Sequence, residues 1–204
     1  MIMDAKSWQL GSPGTAIYRL YDSLRQRVNY RLAQYLLKEG VSSEQCIVVE
    51  AGSGPAFASS MLGRDSRVAL AVAMDIDLEA LREARRRDPL LALVVGDLHD
   101  LPFRTESLDL IWNSSTLEHL DDPLAGLREM VRSTRQEGRI FVGLPYLRGP
   151  IGFQRWIPRT TVGVWLGTVF DLDAVNGLIS SAGARPKDHF LYFFRFFLGA
   201  LAEK

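Results

Sequence analysis

Val48-Val49-Glu50-Ala51-Gly52-Ser53-Gly54-Pro55-Ala56 is the stretch whose reading decides the fold. A short β-branched run ends in a carboxylate and then turns through two glycines spaced one apart. The apolar run reads as a buried strand. The glycines let the backbone leave that strand sharply and pass close to a ligand that a Cβ would push away. Three further apolar runs repeat the arrangement: Val68 to Met74 ends in Asp75, Leu91 to Val95 leads through Gly96 to Asp97, and Leu108 to Trp112 ends in Asn113-Ser114-Ser115. Four successive strands thus deliver polar residues to one end of a sheet, where the ligand crevice of an open α/β sheet lies.

Outward from this core, Ala16 to Lys38 has apolar residues at three- and four-residue steps (Ile17, Leu20, Leu24, Val28, Leu32, Leu36) and predicts an amphipathic helix stopped by Gly40. Further helices are expected over Ala56–Leu62, Leu78–Arg87, Pro123–Thr134 and Leu172–Ala182. In the second of these, Glu79 sits in the first turn and Arg85-Arg86-Arg87 in the last, an order that complements the helix dipole and marks the arginines as a solvated helix end. A fifth strand is expected over Gly138–Leu144. Strands alternating with helices predict a mostly parallel sheet covered on both faces.

The 204 residues suit one domain, and the 47% hydrophobic and 24% charged content is that of an ordinary globular protein. Lys+Arg and Asp+Glu both number 24, so no net basic field draws in nucleic acid. The single cysteine, Cys46, reads as core packing, and the three histidines with it lack metal-ligand spacing. Met1 to Trp8 carries Asp4 and Lys6 and no apolar signal core, and no stretch reaches the ~20 apolar residues of a membrane-spanning helix. A cytoplasmic protein is expected.

The motifs resemble those of the class I S-adenosylmethionine-dependent methyltransferases, in the branch acting on small molecules such as quinone precursors. The resemblance runs from about Ile47 to Leu144. Glu50-Ala51-Gly52-Ser53-Gly54 matches the family's acid-x-Gly-x-Gly loop, and Met74-Asp75-Ile76-Asp77 its second acidic motif. Gly96-Asp97-Leu98-His99-Asp100-Leu101-Pro102-Phe103 looks like the adenine-site loop. Leu108 to Ile111 and Leu117-Glu118-His119-Leu120-Asp121-Asp122-Pro123 match the strand and turn beyond. One departure is Ala56, preceded by Pro55, where a third glycine is common.

The resemblance implies a seven-stranded Rossmann-like sheet in a single methyltransferase domain: an N-terminal helical cap over 1–40, a cofactor-binding core over 41–144, and a substrate-side insertion with the last strands over 145–204. Phe190 to Ala202 would hold the two final strands, one of them antiparallel, although its pattern also allows a buried helix.

It implies too that Glu50, Gly52, Ser53 and Gly54 hold the methionine part of the cofactor. Asp75 takes the ribose hydroxyls, with Ile76 beside it. Asp97 and Leu98 take the adenine, and Asn113 and Ser114 face the methionine part or the transferred methyl. Each acid also has a plain structural role open to it: Glu50 as a helix-end anion, Asp75 as a cap, Asp97 as a turn former. Asp77 is the better cap before Leu78. With its carboxylate in an open crevice, Asp75→Ala is expected to weaken cofactor binding and leave stability almost unchanged.

His119 is the candidate base, although such a histidine in this turn more often packs or caps; His99 reads as structural, His189, at the start of a strand, is uncommitted, and Tyr18 and Tyr21 read as packing or as a cover over the cofactor. Dinucleotide binding is the nearest rival, but its third glycine falls at Phe57. A rival of another class is a silent cofactor-binding partner of an active enzyme. Gly149–Phe170, with Phe153, Trp156, Trp165 and Phe170 interleaved by Arg155 and Arg159, either lines an acceptor pocket suited to an apolar or aromatic acid or covers the sheet edge.

Overall fold

The apolar runs become strands in the computed structural model, which describes residues 16–150, 152 and 167–204, and of 16–22, 24 and 25 the backbone alone. Five strands run parallel: β1 (Cys46–Ala51), β2 (Val68–Asp75), β3 (Ala92–Val95), β4 (Leu108–Ser114) and β5 (Thr134–Pro145). Two more, β6 (Arg185–Tyr192) and β7 (Phe197–Glu203), close a seven-stranded sheet of order β3-β2-β1-β4-β5-β7-β6. β7 is antiparallel to both its neighbours. The strand order reverses at β1 and β4, so a crevice opens there at the carboxyl ends of the strands.

Side chains alternate across each strand, and the two resulting faces are covered by different helices. Val48, Ala73, Leu110, Trp112 and Phe141 pack with Leu32 of α1 (Ala16–Tyr35), Leu62 of α2 (Phe57–Leu62) and Ala84 of α3 (Leu78–Arg87). Val49, Met74, Ile111, Ile140 and Val142 pack with Leu127 and Met130 of α4 (Pro123–Ser133) and Ile179 of α5 (Leu172–Ser181). Asp77, Asp122 and Asp171 cap α3, α4 and α5, each accepting a backbone N–H of the first turn at 2.9–3.0 Å.

Three expectations change in detail. The N-terminal helix leaves α geometry at Leu36 and finishes in a π-helical turn to Gly40. The arginine run is engaged as well as solvated: Arg87 pairs with Glu83 at 2.9 Å, donates to Pro55 O at 3.4 Å and covers the Phe57 ring at 3.9 Å. The last two strands start at Arg185, so Phe190–Ala202 holds the end of β6 and most of β7, and no helix. Among the described residues no helix is long and apolar enough to cross a membrane.

Candidate active site

The loop after β1 is built from the backbone upward. Gly52 and Gly54 have φ of 78° and 50°, and the N–H groups of Gly52 and Ser53 both donate to Met74 O on β2. A Cβ on Gly52 would overlap the Thr116 side chain, so this turn admits only glycine. Ala56 holds the third position at φ 57°, a left-handed conformation that costs a residue with a side chain about 1–2 kcal/mol. The loop thus makes its turn with alanine in place of the third glycine.

Each acid has a definite place. Glu50 is buried and its Oε2 accepts from Ser59 N at 3.1 Å and from Ser59 Oγ, so it closes the first turn of α2. Burial pushes its carboxyl up to about 7, against the opposing pull of Ser59 and with Asp75's charge adding to the rise. The Trp112 N–H lies near enough to favour the charged form but meets no acceptor in hydrogen-bond geometry. Asp75 departs from expectation. Its carboxylate ties the site together, Oδ2 accepting from Gly54 N at 2.7 Å and Oδ1 from Asp77 N at 2.9 Å. Burial raises its pKa. Ile76, next in sequence, is 61% exposed, an apolar platform at the crevice mouth.

Asp97 Oδ1 accepts from the backbone N–H of His99 at 2.9 Å and lies 3.0 Å from its Nδ1; these bonds hold the carboxyl below its usual range. Leu98 is buried beside it. The loop from Asp97 to Phe103 is pinned from α4: Glu129 Oε2 accepts from Leu101 N at 3.0 Å, and Arg132 donates to the carbonyls of Leu101 and Phe103 at 3.0 and 2.9 Å.

Asn113 faces the other way from expectation. It is 0% exposed, its Nδ2 donates to Ala51 O and its Oδ1 accepts from Leu117 N at 3.1 Å. Both ends of the amide are used, so it braces the crevice floor from beneath instead of facing a ligand. Ser114 Oγ lies 2.7 Å from the Tyr192 hydroxyl.

Residues 49–142 match the family model described as a methyltransferase domain. Just under half of the chain is thus similar to a methyltransferase domain. It is 33% identical over 129 residues to a malonyl-[acyl-carrier protein] O-methyltransferase of Herminiimonas arsenicoxydans, covering 63% of this chain and 47% of that one. It is 28% identical over 121 residues to the chloroplastic 2-methyl-6-phytyl-1,4-hydroquinone methyltransferase of Arabidopsis thaliana, covering 58% and 34%. The chain therefore spans between a third and a half of the length of these curated relatives. The fold is also that of the methyltransferase solved in complex with the Haloferax volcanii Trm112 activator, with a TM-score of 0.74, 18% identity, and coverage of 89% and 92%.

The cofactor of such domains is S-adenosylmethionine, and the residues of this chain fit it. The exposed Ile76 platform adjoins the Asp75 carboxylate, and the glycine loop presents backbone in place of side chains. Beyond β4 the residues take another character. His119 has a side chain 12% exposed, with Nε2 3.8 Å from Glu118 Oε1, and burial pushes its pKa down to about 4. An imidazole so poorly basic is a weak proton acceptor. Tyr192 was not legible as a site residue in the sequence, because topology brings it to Ser114 across 78 positions. Phe153, Arg155, Trp156, Arg159 and Trp165, like Met1 to Trp8, lie outside the described residues, as do the side chains of Tyr18 and Tyr21. Phe170 forms a bridge with Tyr146 at the end of β5.

Proposed function

We propose that this chain transfers a methyl group from S-adenosylmethionine to a small, apolar or aromatic acceptor. The observation that carries the reading is the strand-end set at the β1/β4 reversal: glycine loop, Asp75 with exposed Ile76, and Asp97 with Leu98. In this reading Gly52, Ser53 and Gly54 hold the methionine part, with Glu50 fixing the loop from below. Asp75 and Ile76 take the ribose and adenine edge, and Asp97 and Leu98 take the adenine. Asn113 supports them from the core, and Ser114 and His119 stand on the acceptor side. The sulfonium supplies an activated methyl, so the chain's main tasks are alignment and exclusion of water. The hydroquinone methyltransferase among the proteins it is similar to supports a small aromatic acceptor. The balanced charge and single buried thiol suit a cytoplasmic setting.

Calorimetry with S-adenosylhomocysteine tests the cofactor site, with a dissociation constant on the order of micromolar expected, about −8 kcal/mol. No heat at millimolar ligand removes the assignment. Transfer of labelled methyl into extracted small molecules tests the activity; binding with no transfer to any acceptor returns the chain to a silent cofactor-binding partner.

A further inference from the structure

Two buried side-chain polar atoms lack a hydrogen-bond partner among the described residues, Trp112 Nε1 and Glu118 Oε2. The second is the more demanding. A carboxyl that has given up water and found no donor is costly, and native folds keep such groups where another need retains them. Glu118 sits in the 3-10 turn Leu117–His119, directly after the carboxyl end of β4. Its backbone carbonyl accepts from Thr168 N at 3.1 Å. Gly167, at φ 65°, lies so close that a side chain there would meet both Glu118 Cγ and His119 Cε1.

Two titratable side chains among the described residues face Glu118. His119, on its own turn, has Nε2 3.8 Å from Oε1. Tyr192, at the end of β6, is close enough for the Glu118 charge to oppose its ionisation, and its hydroxyl is held by Ser114. Thr116, two residues before Glu118, rests on Gly52 of the cofactor loop. The turn therefore starts against the cofactor loop at Thr116 and is met by Gly167 and Thr168 at Glu118. An acceptor must approach the methyl from the side opposite the departing sulfur, and the proposed function assigns no ribose or adenine contact to this turn.

We propose that Glu118 is the proton acceptor of methyl transfer to a hydroxyl-bearing, phenol-like substrate, its Oε2 taking the hydroxyl proton. The inference rests on the methyltransferase reading above. The acceptor O–H bond breaks with its proton passing to Glu118. The acceptor oxygen forms the new O–C bond, and the C–S bond electrons leave with sulfur. The products are a methyl ether, a neutral thioether and protonated Glu118, which returns its proton to water. Burial pushes the Glu118 carboxyl up to about 8, which makes its carboxylate a far better base than His119.

The test compares the unaltered protein with Glu118→Gln on two probes, 4-methylphenol, which keeps its proton at pH 8, and 4-nitrophenol, which has lost it. Loss of the base is expected to lower transfer to 4-methylphenol by about 100-fold or more and to 4-nitrophenol by less than about tenfold. S-adenosylhomocysteine binding, read by calorimetry, should stay the same in both proteins. Independently of turnover, the unaltered protein should show an infrared carbonyl band of a protonated buried carboxyl that fades as pH rises through about 8 and is absent from Glu118→Gln.

Equal turnover of 4-methylphenol by both proteins overturns the proposal, as does an equal fall on both phenols, which marks a structural role. Turnover of neither phenol by unaltered protein that binds S-adenosylhomocysteine also overturns it, while absence of that binding defeats the methyltransferase reading itself. Should Glu118→Gln fail to fold, the pH profile of the unaltered protein decides. A rise through about pH 8 with 4-methylphenol alone supports Glu118, and a flat profile removes it.

Discussion

At Asp75 one carboxylate does two jobs that the sequence shows as one. It is the proposed ribose acceptor, and it also fastens the glycine loop to β2 through Gly54 N. Asp75→Ala therefore removes two bonds between a carboxyl and backbone N–H groups, each worth about 1.5–3 kcal/mol when the acceptor is charged. S-adenosylhomocysteine affinity is expected to fall at least tenfold, with a lower urea midpoint as well. An unchanged midpoint would show that the loop keeps its shape without this tie.

Glu118 makes a prediction of opposite kind. Its folded pKa, about 8, lies above the ordinary value near ~4.3. The native state thus keeps a proton that the unfolded chain gives up. Its contribution to stability is whole below about pH 4 and declines as pH rises through about 8, and Glu50, raised to about 7, acts in the same sense. Glu118→Gln cannot ionise, so its urea midpoint should gain on that of the unaltered protein at each step from pH 5 to 9. A midpoint that instead loses ground with rising pH would mean that Glu118 is charged and paired in the fold.

Among the elements, α4 reaches furthest beyond its own packing. Its Glu129–Arg132 pair, 2.7 Å apart and three residues apart in sequence, hangs the loop 97–103 from three backbone groups. Arg132→Ala should free that loop while the core holds: faster amide exchange at Leu101 and weaker S-adenosylhomocysteine binding are expected, with little loss of helix signal. Protection at Leu101 equal to that of the unaltered protein would assign the loop's order to Leu98 and Leu101 packing alone.

The central strands were legible because burial on both faces leaves continuous apolar runs, Ala71–Met74 being the plainest. β6 was not. It is the edge of the sheet, so Arg185, Lys187, Asp188 and His189 face water and Pro186 is tolerated there, which erases the alternation that marks a strand. The site divides in the same way. Glycines and acids at strand ends announce themselves in order along the chain, whereas Ser114 meets Tyr192 only because Gly143, on β5 between them, has no side chain in the way.

Across the whole molecule, the crevice at the β1/β4 reversal has two banks, and Asn113 joins them: its amide donates to Ala51 O at the root of the glycine loop and accepts from Leu117 N at the root of the Glu118 turn. Asn113→Leu keeps the volume but strands both backbone groups, each at about 1–3 kcal/mol. The expected result is a large fall in urea midpoint, with cofactor binding and methyl transfer lost in step; loss of one without the other would show that the banks move independently. This gives a buried residue the genetic profile of a contact residue. In a saturation screen scored for lost activity, position 113 should rank with Gly52 and Asp75 although no solvent reaches it, and suppressors should arise in the segments flanking it on either bank and not among the residues that touch the ligand.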